Sequence, residues 1–288
     1  MIKSVRKIYS YWFLVPAAAV FLIFFILPTI MSFFFSLTRW DLSSWTFIGL
    51  QNFQSFFQTY SLSIGLVNTI IYAVLTSSMK VIIGLMFGLF LCSKIKTKNF
   101  LRSVVFFPSL VSTIAVGMTF SSLMNPTHGI INGVLSLFGI AGPDWLGNPS
   151  LALYSVIFVD VWKGVGIATV IYIAGITSIP NDYNEAFAID GGNRWQKFIY
   201  LTLPMVRPAM NTVIILSFIG GMRTFDLVWT MTQGGPGFAS DLVASVIYKQ
   251  YTAGYYGLSA AGNVVLLAMI SLLAFPLYTF LNKSEVAE

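Results

Sequence analysis

The sequence predicts an all-α integral membrane protein with six membrane-spanning helices and both termini in the cytoplasm. Three observations carry that expectation. Of 288 residues, 57% are hydrophobic and only 9% charged, whereas a soluble domain holds about 25% charge; mean hydropathy is +0.81. Apolar runs near the ~20 residues that cross a bilayer recur along the chain. Lysine and arginine concentrate on alternate connections between those runs. The runs are continuous, not alternating, which excludes a membrane β-barrel. The net charge of +6 follows from the placement of these basic residues and implies a lipid bilayer and no nucleic acid.

In chain order the expected spans are 12–37, 65–92, 104–124, 151–179, 209–230 and 260–281. They form one transmembrane domain, 12–281, between a cytoplasmic start, 1–11, and a cytoplasmic tail, 282–288. The basic start (Lys3, Arg6, Lys7) resembles a signal peptide, but the apolar run after it is too long and no small-residue cleavage site ends it. With the N-terminus inside, eleven of the sixteen basic residues fall on cytoplasmic segments and two, Arg39 and Lys249, fall outside. Lys80, Lys163 and Arg223 lie within spans. Two outer segments, 125–149 and 233–237, are rich in Gly and Pro and read as loops. Residues 241–251 read as a short amphipathic helix at the surface, with Leu242, Val243, Val246 and Ile247 on one side. The chain shows no separate soluble domain and no clear internal repeat. Trp12, Trp40, Trp45 and Trp145 suit interfacial belts.

Catalytic chemistry is not visible. The single cysteine, Cys92, excludes an internal disulfide and reads as a small packing residue. The single histidine, His128, excludes a His-rich metal site. No HExxH, CxxC, GxGxxG or Walker lysine pattern occurs, so the chain has no visible means of hydrolysing ATP.

The polar stretch 180–208 is the informative exception. It reads PNDYNEAFAIDGGNRWQKFIYLTLPMVRP. Asp182 stands three residues before Glu185, a capping-box spacing that starts a helix over about 183–190. Gly191 and Gly192 end it. Asn193 and Gln196 repeat the spacing and open a second helix, expected to stop at Pro204. The product is a helix-elbow-helix, with Ala186, Phe187 and Ile189 as an apolar face. It serves either as a loop folded back on its own bundle or as a docking surface for a cytoplasmic partner.

Two pairs of charges sit inside expected spans, Asp160 with Lys163 and Arg223 with Asp226, each three residues apart on one helix. Intramembrane charges are costly and are functional candidates by default. Each pair either neutralises itself to ease insertion or lines a polar path. Lys80 has no partner near it in sequence. It can snorkel, pair with another span or face a partner subunit.

Glu185-Ala186-Phe187, then Asp190-Gly191, then Leu201-Thr202-Leu203-Pro204 resembles the EAA motif of permease subunits of binding-protein-dependent ABC importers. The spacing of that motif is kept; Phe187 replaces its second Ala and Leu201 its Ile. The start of the chain, FFPSLVSTIAVGM, TQGGPG and IYKQYT are similar to the first permease subunit of the carbohydrate-uptake group, of the maltose, glycerol-phosphate or raffinose type. The resemblance implies the ABC importer type I permease fold, with Glu185, Ala186, Phe187, Asp190, Gly191, Leu203 and Pro204 coupling to a cytoplasmic ATPase. It further implies a second homologous permease, a dimeric ATPase that binds ATP-Mg, and an extracytoplasmic sugar-binding protein, in a bacterial cytoplasmic membrane. No cofactor is implied for this chain itself. Carried over by motif, the sugar site is Ser109 and Thr113; Asp160, Lys163, Gly164 and Ile167; and Ser217, Gly221 and Thr224. Lys80, Arg223 and Asp226 are path-lining candidates. Similar permeases carry mostly amides, a tyrosine and small residues there, so the Asp160–Lys163 pair and Gly221 depart from them. A neutral oligosaccharide is favoured; a glycerol-phosphate ester or uronic oligomer could use Lys163 and Arg223. Other classes consistent with the residues are a stand-alone secondary transporter or channel and, least supported, a membrane enzyme.

Overall fold

The computed structural model describes residues 11–93 and 95–283. Lys3, Arg6, Lys7 and Lys94, four of the basic residues on the expected cytoplasmic segments, lie outside the described residues, as does most of the expected tail.

Thirteen helices and one small hairpin follow one another among the described residues. They are α1 (Trp12–Ser36), β1 (Thr38–Trp40), β2 (Trp45–Phe47), α2 (Gln51–Gln58), α3 (Tyr60–Cys92), α4 (Lys98–Leu110), α5 (Thr113–Leu123), α6 (Ile130–Leu137) and α7 (Ala152–Thr177). After them come α8 (Asn181–Ile189), α9 (Arg194–Met205), α10 (Arg207–Met222), α11 (Asp226–Met231), α12 (Val243–Thr252) and α13 (Tyr256–Lys283). Four helices, α1, α3, α7 and α13, are long and apolar enough to cross a membrane, and the bent pairs α4/α5 and α9/α10 bring the number to six if each is one span.

Two compact units divide the chain: one holds the residues up to Thr59 with Ile247–Val265, the other Tyr60–Val246 with the residues from Leu266. In the first, α1 is exposed along nearly its whole length, as an apolar helix meant for lipid should be. The hairpin pairs Thr38 with Phe47 and Trp40 with Trp45. Asp41 shapes its turn by accepting the backbone N–H groups of Ser43 (3.1 Å) and Ser44 (2.6 Å). Those bonds, first from the Ser44 backbone and then from the Ser44 and Ser43 hydroxyls, hold the Asp41 carboxyl below its usual value because they favour the ionised form.

In the second unit α3 is the hub, packing against α7 and α10, while α4 packs against α7 and α5 against α11. Between helices in lipid there is little hydrophobic drive, so close backbone approach through small residues takes its place. Gly84 of α3 shows this: a Cβ there would stand 2.8 Å from the Ala168 Cβ of α7. The apolar core gathers Tyr72, Val156, Val159, Leu227 and Leu242, all buried.

Four sequence expectations are corrected. The run 104–124 is two helices bent by 96°. Pro108 lacks the N–H a straight helix needs, and Val111 is extended. The run 209–230 breaks after Met222 at Arg223, so α10 and α11 are separate. The helix in 241–251 is not superficial: Leu242, Val243 and Val246 are fully buried. Asn68 of α3 ties the segment before it by donating to the carbonyls of Ala239 (2.9 Å) and Asp241 (3.0 Å). Finally, the hairpin β1–β2 had no place in the expected span order.

Candidate functional site

Lys80 and Asp160 meet across the α3–α7 seam. The Lys80 ammonium donates to Asp160 Oδ2 at 2.6 Å, with the two side chains 12% and 18% exposed. Gly164, one turn from Asp160 on α7, makes the approach possible. A Cβ there would lie 2.6 Å from Lys80 Cε and 2.9 Å from Nζ. Lys80, Asp160 and Gly164 therefore form one constellation.

This pairing overturns both expected internal ion pairs. Asp160 is matched by Lys80, and among the described residues Lys163 has no ion-pair partner. Arg223 and Asp226 are not on one helix: Arg223 closes α10 and Asp226 opens α11, both exposed and not paired with each other. The chain break between them removes the one-turn geometry that spacing alone suggested.

The remaining residues divide into two sets. The Ser109 hydroxyl donates to the Lys163 carbonyl at 2.8 Å. A Cβ on neighbouring Gly166 would stand 2.8 Å from Ser109 Oγ, so Ser109 holds α4 against α7. Gly221 is buried against α3, where a Cβ would meet Ala73 Cα at 2.8 Å and Thr76 Oγ1 at 2.9 Å. Thr113 and Ser217 are half-buried and Ile167 is exposed. Thr224, also half-buried, donates back to the Gly220 carbonyl at 3.0 Å. Sequence reasoning missed Tyr72, which is fully buried with its hydroxyl beside the Thr224 side chain and close to Asp160. Tyr72, Thr76 and Lys80 recur every four residues on α3, a helical face that could have been read directly.

The polar stretch folds as helix-elbow-helix, with two local corrections. Helix α8 begins after Pro180, with no side-chain cap, so Asp182 does not open it. It closes as a Schellman turn: Gly191 N–H donates to the Ala188 carbonyl and Gly192 N–H to that of Phe187, both at 3.2 Å, with Gly191 at φ +73°. The Phe187 ring lies over Gly192, where any Cβ would collide with it; that contact accommodates the large residue in place of Ala. The Asn193–Gln196 capping box forms in both directions at 2.9 Å. Helix α9 does not stop at Pro204. A π turn at Phe198–Thr202 carries it to Met205, and a 65° bend leads into α10. The π turn shifts Leu203 N–H onto the Phe198 carbonyl, altering the register just before the proline that lacks an N–H. Glu185, Ala186, Asp190, Gly191 and Pro204 are exposed, Phe187 and Leu203 half-buried, and α8 buries no residue.

A mostly helical membrane protein with a charge pair at its main helix seam and an exposed helix-elbow-helix is the kind of molecule a transport permease is. Residues 80–285 match the family of binding-protein-dependent transport system inner membrane components. The chain belongs to that family and is a multi-pass membrane protein. It is 31% identical over 264 residues to the trehalose/maltose transport system permease protein MalF of Thermococcus litoralis, covering 91% of this chain and 89% of that one. It is 30% identical over 269 residues to the arabinooligosaccharides transport system permease protein AraP of Bacillus subtilis, covering 92% and 86%. Among solved structures, a bacterial ABC transporter involved in the import of the acidic polysaccharide alginate superposes with a TM-score of 0.83 at 21% identity, covering 95% of this chain and 94% of that one. The fold is that of an ABC importer permease.

Proposed function

We propose that the chain is the membrane-spanning subunit of an ATP-driven oligosaccharide importer in the bacterial cytoplasmic membrane. It forms the translocation path with a second, homologous permease. It receives sugar from an extracytoplasmic binding protein and is driven by a dimeric ATPase that binds ATP-Mg. Family membership and the sugar permeases it resembles support the class. The observation that supports the coupling role is α8: a helix closed by a Schellman turn, with Glu185 exposed and nothing buried. A helix that short is marginal without tertiary packing, and a partner cleft supplies that packing. ATPase closure then moves the helices between inward- and outward-facing states as rigid bodies. Glu185, Ala186, Phe187, Asp190, Gly191, Leu203 and Pro204 form the coupling surface.

In the path, Lys80 and Asp160 neutralise each other, and the buried Tyr72 hydroxyl lies beside the Thr224 side chain. A sugar hydroxyl or water is a natural complement to that polar pair. We assign Ser109, Thr113, Lys163, Gly164, Ile167, Ser217, Gly221 and Thr224 to the lining of that route, with Arg223 and Asp226 as further candidates. A second substrate reading, a uronic oligomer, is favoured by Lys163, which no carboxylate of the described chain neutralises. Co-purification from cells expressing all subunits tests the coupling role. Glu185→Lys should abolish ATPase recovery while the second permease still co-elutes. Undiminished ATPase recovery with normal uptake would remove Glu185 from the coupling surface; no ATPase recovered with the wild-type chain would remove the ABC reading and favour a secondary transporter.

A further inference from the structure

The first compact unit contains a cleft of about 570 Å³ walled by Arg39, Trp40, Gln51, Asn52, Ser55 and Tyr255, within the ~300–1,000 Å³ range of small-molecule sites. Its walls are braced from within. Asn52 donates to the carbonyls of Ser36 (2.9 Å) and Thr38 (2.8 Å). Trp40 stacks on Phe35 with ring centres 4.0 Å apart. Gly257 lets α13 close in, since a Cβ there would stand 3.1 Å from Asn52 Nδ2. Asp41, at the rim, spends its carboxylate on the hairpin turn.

The polar side chains that face the opening are unspent. Those of Arg39, Gln51, Ser55 and Tyr255 bond to no group of the described protein. Guanidinium, amide and hydroxyl groups converging beside an exposed phenol ring match a saccharide, whose hydroxyls take hydrogen bonds while its C–H face packs on an aromatic ring. A lipid tail would leave these donors unmet. A polyanion would face Asp41 beside the single cation, Arg39. We infer that this cleft is a binding subsite for a short, neutral oligosaccharide, separate from the Lys80–Asp160 route. The inference rests on the sugar-importer reading.

Photolabelling of the complete importer in nanodiscs, without its binding protein, tests it. The probes are diazirine-bearing maltotriose, cellotriose and tri-galacturonate. A neutral probe should label peptides covering residues 39–58 or 254–258, and excess unmodified sugar should compete. Arg39→Ala with Gln51→Ala should remove that label and, in proteoliposomes supplied with binding protein and ATP, raise the KM for uptake about tenfold at unchanged kcat, with the thermal midpoint unmoved. Tyr255→Phe should keep the label, since the ring remains. The inference is overturned if no probe labels the cleft, if only tri-galacturonate does, or if the double variant labels and transports like wild type. It is also overturned if the double variant loses only binding-protein docking. Wild-type complex in proteoliposomes with binding protein and ATP that shows no uptake of any sugar would instead remove the importer reading.

Discussion

The seam between α3 and α7 and the elbow between α8 and α9 treat charge in opposite ways. At the seam, Lys80 and Asp160 are mostly buried and matched at 2.6 Å, with Gly164 vacated to admit the lysine. At the elbow, Glu185, Asp190 and Arg194 are exposed, and the order comes from backbone devices: a Schellman turn and a capping box. The seam matches its two charges within the chain. The elbow has a defined shape and no interior, which is what a surface kept for another subunit requires.

The largest expected effect breaks the elbow's side of this contrast. Reversing a charge at a desolvated interface costs several kcal/mol. Glu185→Lys should therefore reduce uptake on the order of a hundredfold, while the melting midpoint of the detergent-purified chain stays unchanged. Next comes the seam. Removing one member of a buried pair costs about 3–5 kcal/mol, whereas replacing both by apolar residues is often nearly neutral. Lys80→Met and Asp160→Leu should each lower the thermal midpoint clearly, and the double variant should recover most of the loss. Equal losses in the singles and the double would show that the pair is not a unit. Arg223→Ala, removing a cation with no such match, should leave the midpoint within error.

Gly84→Val should cost about 1–3 kcal/mol by overpacking, because the opposing atom is Ala168 Cβ on a helix that cannot rotate away. Gly164→Ala should cost a similar amount, since the displaced end of Lys80 is held by its pair with Asp160. Smallest is Asn193→Ala, which removes one capping interaction worth ~1 kcal/mol. Hydrogen exchange should rise at α9 alone, with α3 and α7 protected as before.

Much of the architecture was legible because long apolar runs leave a chain few options. The elbow was legible in outline because Gly191 and the Asn193–Gln196 spacing are local devices. What failed was local pattern used for tertiary facts. Asp160 and Lys163 have the spacing of a pair, yet Asp160 turns to Lys80, eighty residues earlier in the chain, because Gly164 opens that route. Arg223 and Asp226 also have the spacing, but the helix ends between them. Asp182 looked like a cap, but Pro180 already sets the start of α8. Leu242, Val243 and Val246 looked like one side of a surface helix, whereas Gly65 of α3 admits that segment: a Cβ there would sit 3.3 Å from Leu242 C and Val246 Cγ2.

On the proposed function, this chain forms a path and borrows its energy. The direct measurement is uptake of radiolabelled oligosaccharide into proteoliposomes holding this chain, its partner permease and the ATPase, with binding protein outside and ATP inside. Uptake should require both ATP and binding protein, persist when a protonophore collapses the proton gradient, and vanish with Glu185→Lys. Uptake by this chain alone, driven by a proton gradient without ATP, would contradict it.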